Sequence, residues 1–531
     1  MAATLTSSPL QARDQTVQRW LVTGAVMSSV IMELVDTSAV NVSLPYIAGN
    51  LSATIDESTW VLTSYLVSNA VVLPITGWLA SRFGRKRLLM TAIAGFSVAS
   101  ALCGFAPSLS ALILCRVLQG AFGGALQPTT RAILLEAFPR EERGKAMAMW
   151  GVGIVVAPIL APVLGGWLTT DYSWRWVFFI NLPTSILGLI LVNLFVFDPP
   201  YFRRTTKGID FWGVGMLVVG IGALQIVLDK GQEADWFGSH YIVVLTIVSA
   251  IALVTFILWE LRAHEPMVHL RLLKYRTFAA GVGLSLVLFF VLYGSILLLP
   301  LFMQEMLNFP AITAGIWNSP RGIATMALMP IAGLLIGRHW DIRKLLFGGI
   351  MVSAVGVLTF SFLSPSAGPW NFLWPQIIMG AGLAFVFVPF STITVDPIPN
   401  EEMGYATSIT ALARNIGASV GISVAATLLE RGEQVHQTYL VDHLTFTNSK
   451  MENFLSALQS HFFRSGTDPY TAAQQALQKL YSIVQHQASV LSYLDEFRIM
   501  AAMFVLVSPL VWLMHRPQFK KKAEATEKSK T

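Results

Sequence analysis

Long runs of apolar residues, separated by short polar stretches, dominate the chain from residue 20 to residue 515. Each run has about the twenty residues that an α-helix needs to cross the hydrocarbon core of a bilayer. The pattern therefore predicts about fourteen spanning helices, and an even number places both termini on one side of the membrane. The predicted helices lie at 20–48, 58–80, 87–106, 109–137, 143–169, 174–198, 209–229, 239–261, 277–305, 311–337, 343–363, 370–395, 404–429 and 496–515.

Composition supports an all-α polytopic membrane protein. Of the 531 residues, 54% are hydrophobic and only 12% are charged, whereas soluble domains carry about 25% charged residues. Cys103 and Cys115 both fall in predicted helices, so neither a disulfide framework nor a zinc site is expected. The polar N-terminus leads directly into a long helix that contains acids, and we expect no removable signal peptide.

The distribution of positive charge predicts the orientation. With a cytoplasmic N-terminus, about 25 of the 36 Lys and Arg residues fall in the tails and inner loops. This positive-inside bias accounts for the formal net charge of +6. No nucleic-acid partner is therefore expected, even for the lysine-rich C-terminal tail.

Two pairs of segments indicate an internal duplication. PREERGKA (139–146) matches PNEEMGYA (399–406), and GWLASRFGRKRLL (77–89) matches GLLIGRHWDIRKLL (333–346). A chance similarity of basic turns is the alternative, but duplicated bundles are typical of secondary transporters. The predicted organisation is a cytoplasmic tail (1–19), a six-helix bundle (20–198), inserted helices 7 and 8 with cytoplasmic linkers (199–276), a second six-helix bundle (277–515) and a basic cytoplasmic tail (516–531).

One long polar segment, 430–495, lies within the second bundle and is predicted to be external. Its apolar residues recur every three or four positions, which predicts amphipathic helices. Two interpretations remain open for these helices. They either dock a partner protein or cap the protein's own outer surface at the lipid interface.

Glu33 and Asp36 stand out because they lie inside an apolar helix, where a charge costs several kcal/mol. Helical spacing places them on one face about a turn apart, so we expect both to face one cavity. Arg116, in LILCRVLQG (112–120), is the buried guanidinium that such acids would neutralise. The alternative to a proton-coupling role is a fixed ion pair that only joins two helices.

A substrate cavity needs apolar walls with a few polar groups. The candidate polar groups are Asn41, Asn69, Gln127 and Tyr293, although ordinary interhelical hydrogen bonding is the simpler interpretation for each. Arg321, beside Pro320, is a further candidate that either binds anionic substrates or caps a helix.

The loop GWLASRFGRKR (77–87) resembles the inner-loop signature of the major facilitator superfamily, G-x-L-a-D-r-x-G-r-K/R. Gly77 allows close helix approach, Gly84 suits a tight turn, and Arg82 and Arg85 stay cytoplasmic. Ser81 occupies the position of the usual Asp, which puts the carboxylate-based gate in doubt. We expect Arg82 to pair instead with Glu136 or with a helix C-terminus.

The segment GVGIVVAPILAPVLGGW (151–167) is similar to the antiporter motif of drug exporters, with Ala157 in place of a Gly. Its small and bend-inducing residues permit close packing and bending of the fifth helix. In that position the motif favours export over uptake. The residues concerned are Gly153, Pro158, Pro162, Gly165 and Gly166.

Further segments resemble the fourteen-span drug:proton antiporters of the EmrB/QacA type, and EmrB more than QacA. They are LVDTSAVNVSLP (34–45), SWRWVFFINLP (173–183), LDKGQEADWF (228–237) and SPRGIATM (319–326). The resemblance implies a major facilitator fold with two six-helix repeats plus two inserted helices. It also identifies Asp36 as the acid that fits the family pattern, whereas Glu33 has no assigned role in it.

The same resemblance implies a proton-driven exporter of hydrophobic or amphiphilic compounds in the bacterial inner membrane. It implies no cofactor other than the proton gradient. The expected partners are a periplasmic adaptor (EmrA-like) and an outer-membrane channel (TolC-like). Alternatives are an exporter of one dedicated substrate, such as a fatty acid or a siderophore, and an uptake symporter on the same fold.

An enzyme is not expected. The sequence has no H-E-x-x-H motif, no Walker loop and no G-x-S-x-G motif in a plausible setting. A channel is harder to exclude, but the paired repeats and the single charged cluster favour alternating access.

Overall fold

The computed structural model describes residues 9–139, 142–198, 208, 210–263, 266–338, 340–364, 367–444 and 449–515. Within these ranges the chain is helical and has no β-strand. Residues 1–8 of the predicted N-terminal tail, most of the linker after residue 198 and the basic tail 516–531 lie outside the described residues.

Seventeen α-helices make up the described part of the chain. The first eight are α1 (Pro9–Asn50), α2 (Ile55–Phe83), α3 (Arg85–Phe105), α4 (Leu109–Gly123), α5 (Leu126–Ala137), α6 (Arg143–Asp171), α7 (Trp176–Phe179) and α8 (Asn181–Phe195). The others are α9 (Phe211–Lys230), α10 (His240–Arg262), α11 (Arg276–Leu301), α12 (Ala311–Gly337), α13 (Ile342–Phe360), α14 (Leu373–Ile393), α15 (Met403–Asp442), α16 (Ser449–Arg464) and α17 (Pro469–Val507). A π-helix, Phe302–Met306, continues α11, and short 3₁₀ turns lie at Trp236–Gly238, Leu270–Lys274, Pro369–Phe372, Asn400–Glu402 and Ser508–Leu513.

Thirteen helical stretches of the described residues are long and apolar enough to cross a membrane. Two of them are double, since α4 with α5 forms Leu109–Ala137 and α7 with α8 forms Trp176–Phe195. The 29-residue helix α6, packed against α1 and α12, brings the number of membrane-length helices to the predicted fourteen. The prediction of an all-α polytopic membrane protein is confirmed.

The helices form two bundles, each with an apolar core. The first bundle comprises α1–α8 and the second comprises α11–α17. The apolar core of the second bundle is largely its own, whereas the core of the first also includes residues such as Tyr405 and Ile409 of α15. Helix α9 lies between them, in contact with α2 of the first bundle and α15 of the second, and α10 packs on α9. Helix α9 of the inserted pair therefore contacts both bundles.

The two bundles meet directly at the end of the molecule where α2 turns into α3, which we call the basic-loop end. A Cβ atom added to Gly77 of α2 would lie 2.7 Å from Cα of Tyr405 in α15. A Cβ atom added to Gly333 of α12 would lie 3.0 Å from the carbonyl oxygen of Gly144 in α6. Each contact joins one member of each repeated segment pair, and glycine is needed because the backbones approach so closely.

The predicted external segment 430–495 is not a separate unit. Helix α15 continues through it to Asp442, and α17 begins at Pro469 well before the last predicted span. The two extensions are joined by side-chain contacts such as that between His436 Nε2 and Asp495 Oδ2, 2.9 Å apart. We call the extensions with α16 the outer hairpin (430–495), and the end of the molecule that carries it the hairpin end.

Candidate functional site

A fully buried ion pair lies inside the first bundle. Arg116 Nη1 donates to Asp36 Oδ2 at 2.7 Å, and both side chains are 0% exposed. Asp36 Oδ1 accepts from Gln119 Nε2 at 3.0 Å and from Asn181 Nδ2 at 2.5 Å. We call Asp36, Arg116, Gln119 and Asn181 the ion-pair cluster. Both carboxylate oxygens are satisfied, as a buried charge requires.

Glu33 forms a second cluster nearby on α1. Its Oε1 accepts from Asn69 Nδ2 at 3.3 Å, from Gln127 Nε2 at 3.2 Å and from the Tyr65 hydroxyl at 3.5 Å. Its Oε2 is buried and has no hydrogen-bond partner among the described residues. We call Glu33, Tyr65, Asn69, Gln127 and Arg414 the amide cluster.

Arg414 joins the amide cluster from the second bundle. Its guanidinium donates to Gln127 Oε1, while Gln127 Nε2 donates to Glu33. Gln127 thus bridges an acid on α1 to a base on α15. The amide cluster crosses the interface between the bundles, whereas the ion-pair cluster belongs to the first bundle alone.

Tyr65 connects the two clusters. Its hydroxyl donates to Glu33, and its ring lies 4.2 Å from the guanidinium carbon of Arg116, a cation–π contact. Gly120 and Gly123 leave room for it, because a Cβ atom at either position would lie within 2.8 Å of a Tyr65 oxygen. The two acids, which we expect to face one cavity, thus lie in adjoining clusters that Tyr65 connects.

The glycines of the antiporter-like motif place α6 against α1 beside these acids. A Cβ atom on Gly153 would meet Met27, and one on Gly165 would lie 2.9 Å from Cα of Ala39. Gly166 has open space. Pro158 and Pro162 belong to the continuous helix α6, and their side chains lie outside the described part of the chain.

The inner-loop motif lies at the basic-loop end. The hydroxyl groups of Ser81 and Tyr405 are hydrogen-bonded at 3.0 Å, so Ser81 makes a neutral contact to the second bundle. Arg85 forms a buried ion pair with Glu136, one of the two partners expected for Arg82. Arg85 also donates to the Asn400 carbonyl at 3.3 Å.

Arg82 and Gly84, the other two residues of that motif, make different contacts. The Arg82 guanidinium lies 5.3 Å from the Trp78 ring. Gly84 adopts φ +90° in the turn, and the carboxylate of Asp198 accepts from the backbone N–H of Lys86 there at 3.0 Å. The tight turn expected at Gly84 is thus a left-handed conformation that favours glycine.

The five cavity candidates do not all lie together. Asn69 and Gln127 both belong to the amide cluster, and the ring of Tyr293 lies 6.3 Å from that of Phe289. Asn41 is exposed on α1. Arg321 is buried between α12 and α14, with Met379 Sδ 4.0 Å from its Nη1. Among the described residues, no hydrogen bond or ion pair joins Asn41 or Arg321 to either cluster.

Sequence reasoning missed the residues that the second bundle and neighbouring helices supply. Arg414 and Arg131 are charges inside predicted spans, which was the signal available to find them. Asn181 lies within the SWRWVFFINLP segment, and Tyr65 carried no signal beyond being an aromatic residue. Among the described residues, no group of three or more His, Cys, Asp or Glu residues is arranged to hold a metal ion.

Two packed helix bundles with buried charges at their interface define the molecule as a multi-span membrane transporter. The family model of the Major Facilitator Superfamily matches residues 26–422, and the chain belongs to that superfamily. It is 35% identical over 92% of its length to the fatty acid resistance protein FarB of Neisseria gonorrhoeae, of which it covers 94%. It is 34% identical over 94% of its length to the multidrug export protein EmrB of Escherichia coli, of which it covers 95%. The predicted EmrB-like resemblance is confirmed.

Solved structures agree with the fold. The human organic anion transporter MFSD10 matches with a TM-score of 0.60 and 12% identity, covering 93% of this chain and 99% of that one. The proton:xylose symporter XylE matches with a TM-score of 0.57 and 14% identity, covering 94% and 96%. At such identities the likeness establishes the fold alone.

Proposed function

We propose that this chain is a proton-driven exporter of hydrophobic or amphiphilic compounds in a bacterial inner membrane, with both termini in the cytoplasm. The observation that carries the proposal is the Asp36–Arg116 ion pair, 0% exposed inside a membrane helix bundle. An intramembrane ion pair is costly and is a functional site by default. The printed names of the relatives, which refer to multidrug export and to fatty acid resistance, support export as the direction.

In the proposed mechanism Asp36 carries the proton and Arg116 is its partner. Protonation of Asp36 would remove the charge that holds the Arg116 guanidinium at 2.7 Å. Arg116 also donates to the Val61 carbonyl and touches the Tyr65 ring, so its release would alter α2 and Tyr65. Tyr65 in turn donates to Glu33, which is bridged to the second bundle.

The conformation supports an outward-facing state of the cycle. With the basic loop on the cytoplasmic side, the glycine contacts of α2 with α15 and of α6 with α12 close the inner end. At the hairpin end the bundles are joined through α9 and the 3₁₀ turn that follows it. Gln225 of α9 donates to Ser419 of α15, and Trp236 of the turn donates to Thr427 of α15. Export requires this pattern to invert, by rocking of the bundles about the buried clusters.

The proposal is tested in proteoliposomes that hold purified protein and an internal pH indicator. When a hydrophobic substrate is added to these vesicles in the presence of a proton gradient, we expect protons to cross the membrane down that gradient, and the internal indicator should report this movement. Obligatory exchange in opposite directions supports an antiporter. Movement of substrate and proton in the same direction would instead support the uptake symporter.

A dedicated exporter is the second possibility, favoured by the name of the relative that confers fatty acid resistance. Susceptibility tests in a pump-deficient host separate the two. Protection against several unrelated toxic compounds supports multidrug export, and protection against one chemical class supports a dedicated exporter.

The proposed partners are a periplasmic adaptor and, through it, an outer-membrane channel. Helix α15 has 40 residues, or about 60 Å of helix, which is twice the thickness of a hydrocarbon core of about 30 Å. The outer hairpin therefore projects from the bundle and offers exposed apolar side chains such as Val435 and Tyr439. Removing α16 with its flanking loops should weaken adaptor pull-down, whereas unchanged pull-down would leave the hairpin as a cap.

A further inference from the structure

Three acids lie around one tyrosine at the base of the outer hairpin. Glu433 belongs to α15, Glu496 to α17, and Glu305 to the π-helix that continues α11. All three carboxylates act electrostatically on the Tyr493 hydroxyl. That hydroxyl has a single proton, which it donates to Glu305 Oε2 at 3.1 Å, so it satisfies only one of the three acids. We call these four residues the hairpin-base cluster.

Glu496 is the buried acid of this cluster. It is 3% exposed, and neither of its carboxylate oxygens has a hydrogen-bond partner among the described residues. Glu433 of α15, a like charge, is the charged group that acts on it. An ionised carboxylate without a donor and beside a like charge is strongly disfavoured relative to the neutral acid. This conformation therefore requires a proton on Glu496.

No base forms an ion pair with Glu496 among the described residues. His436 of α15 and Arg498 of α17 are both engaged by Asp495, at 2.9 and 2.7 Å, and Arg431 of α15 is exposed. The charged residues of α11 and α13 are confined to the first turns of those helices at the basic-loop end, and those of α16 with a described side chain are exposed. They are Arg276, Arg343, Lys344, Glu452, His461 and Arg464.

Helices α15 and α17 approach each other closely beside this cluster. A Cβ atom added to Gly432 would meet the Ser492 hydroxyl, and that hydroxyl donates to the Leu429 carbonyl at 2.8 Å. Charges on both Glu433 and Glu496 would repel each other across this tight contact. A proton on Glu496 removes one of the charges and so permits the two helices to pack.

The π-helix Phe302–Met306 connects α11 to the same cluster. The ring of Phe302 lies 5.4 Å from that of Tyr493, and the exposed Glu305 accepts the hydroxyl proton. Interruptions of this kind in an α-helix are frequent at functional sites. Tyr493 and Glu496 are three residues apart and share a face of α17. The hydroxyl is therefore available to an ionised Glu496 once it leaves Glu305.

We propose that Glu496 binds a proton from the hairpin side of the membrane and that this proton holds the base of the outer hairpin closed. When Glu496 loses the proton to water, repulsion from Glu433 separates α15 from α17. The Tyr493 hydroxyl then turns from Glu305 to Glu496 and frees the π-helix. The site is distinct from Asp36, because the partners of Asp36 belong to the first bundle and the hairpin-base cluster belongs to the second.

The test measures the width of the outer hairpin against pH. Spin labels at Gln434→Cys on α15 and Gln487→Cys on α17, two exposed positions, are introduced into the full chain with Cys103→Ser and Cys115→Ser, and the protein is held in nanodiscs. Pulsed electron paramagnetic resonance should report a longer distance between the labels as the pH rises from about 5 to about 9, above the range in which an exposed glutamate titrates. A constant distance would overturn the inference.

The variant Glu496→Gln keeps the size of the side chain but cannot ionise. The distance between the labels should therefore stay at its low-pH value throughout the titration. The matched control is Glu452→Gln, which removes an acid from the exposed surface of α16 in the same hairpin and should keep the full shift. A full shift in Glu496→Gln, or its loss in Glu452→Gln, would contradict the assignment to Glu496.

His436 also titrates in this pH range, and two variants separate it from the acids. His436→Gln should keep the shift. Glu433→Gln should make the shift smaller and move its midpoint to lower pH, because Glu496 loses its proton more readily without the like charge beside it. This readout remains available if Glu496→Gln does not fold. An unchanged midpoint in Glu433→Gln, or loss of the shift in His436→Gln, would contradict the inference.

A second pair of labels follows the π-helix. Gln304→Cys lies on the π-helix and Phe362→Cys just beyond the end of α13, and both positions are exposed. In the wild type their distance should change with the same midpoint as that of the first pair. In Tyr493→Phe it should hold its high-pH value at every pH, because the hydrogen bond to Glu305 is absent. A pH dependence equal to that of the wild type in Tyr493→Phe would contradict the role given to the hydroxyl.

Discussion

The ion-pair cluster and the amide cluster lie side by side on α1, yet they hold their acids in different ways. Asp36 accepts hydrogen bonds on both oxygens, including one from a guanidinium, and all its partners belong to the first bundle. Glu33 accepts only on Oε1, only from neutral groups, and its network reaches α15 of the second bundle. One acid lies within the first bundle, and the other lies where the two bundles meet.

A coupled transporter must couple transport to protons and must select its substrate, and we expect the two clusters to serve these two tasks separately. Rocking of the bundles would break the Gln127–Arg414 contact and leave the Asp36–Arg116 pair intact, because only the former crosses the interface. A proton on Asp36 must therefore act on the interface indirectly, and Tyr65 is the residue that touches both clusters. Coupling and substrate selection are thus expected to respond to different substitutions.

The largest effect is expected from Asp36→Asn. The amide keeps the size of the side chain but cannot exchange a proton, so substrate-driven proton movement should fall to the level of protein-free liposomes. The measurement is internal pH in proteoliposomes, and Asp56→Asn is the control, because Asp56 is an exposed acid in the first turn of α2. Normal exchange in Asp36→Asn would remove Asp36 as the proton carrier.

Removing the other half of the pair should affect stability most. Arg116→Gln leaves a buried carboxylate without its guanidinium, and breaking a buried pair in this way costs about 3–5 kcal/mol. Thermal unfolding in detergent should show a large loss for Arg116→Gln. Much of that loss should be recovered in the double variant Asp36→Asn/Arg116→Gln, which contains no unpaired charge.

The double variant also distinguishes a fixed ion pair from a coupling site. If the pair only joins α1 to α4, recovered stability should bring recovered transport. If Asp36 carries the proton, the double variant should be stable and remain uncoupled.

We expect a smaller effect on transport when the hydrogen-bonded bridge that Gln127 makes between the bundles is removed. Gln127→Leu removes the hydrogen bonds to Glu33 and to Arg414, worth about 1–3 kcal/mol for groups left unsatisfied, without touching the ion-pair cluster. Substrate affinity should fall while proton coupling per transported molecule is kept. A loss of coupling equal to that of Asp36→Asn would show that the two clusters are not separate in function.

Features of the molecule that depend on local composition could be predicted from the sequence. The spans and the paired repeats can be recognised in the sequence, and Asp36 and Arg116 stand out as charges within apolar helices. A charge inside a membrane helix requires a neutralising partner, and these two residues pair with each other. The amide cluster could not be derived in this way. Its bridge joins Gln127 to Arg414, residues 287 positions apart, and only the packing of α5 against α15 brings them together.

Two helices extend beyond their predicted spans for a related reason. The final spans were placed at 404–429 and 496–515 because apolar residues end there, whereas α15 and α17 continue as amphipathic helices into the outer hairpin. Hydropathy reports where lipid contact ends, and helix packing decides where the helix ends. In the same way, the pairing of Glu136 with Arg85 depends on the geometry of the turn at Gly84, which charge spacing alone does not encode.

The smallest effect on coupling, and the sharpest test of the comparison, is expected from Glu33→Gln. Glu33 contacts only neutral donors, so an amide can keep the hydrogen bond to Oε1 and leave the Asp36–Arg116 pair undisturbed. Proton movement per substrate should stay close to that of the wild type, while affinity for a cationic substrate falls relative to that for an anionic one, because a buried negative charge is removed. The measurement pairs proton flux with binding of one cationic and one anionic substrate in the same preparation. If Glu33→Gln abolishes proton flux and leaves both affinities unchanged, the roles of the two acids are reversed, and the acid at the bundle interface is the one that carries the proton.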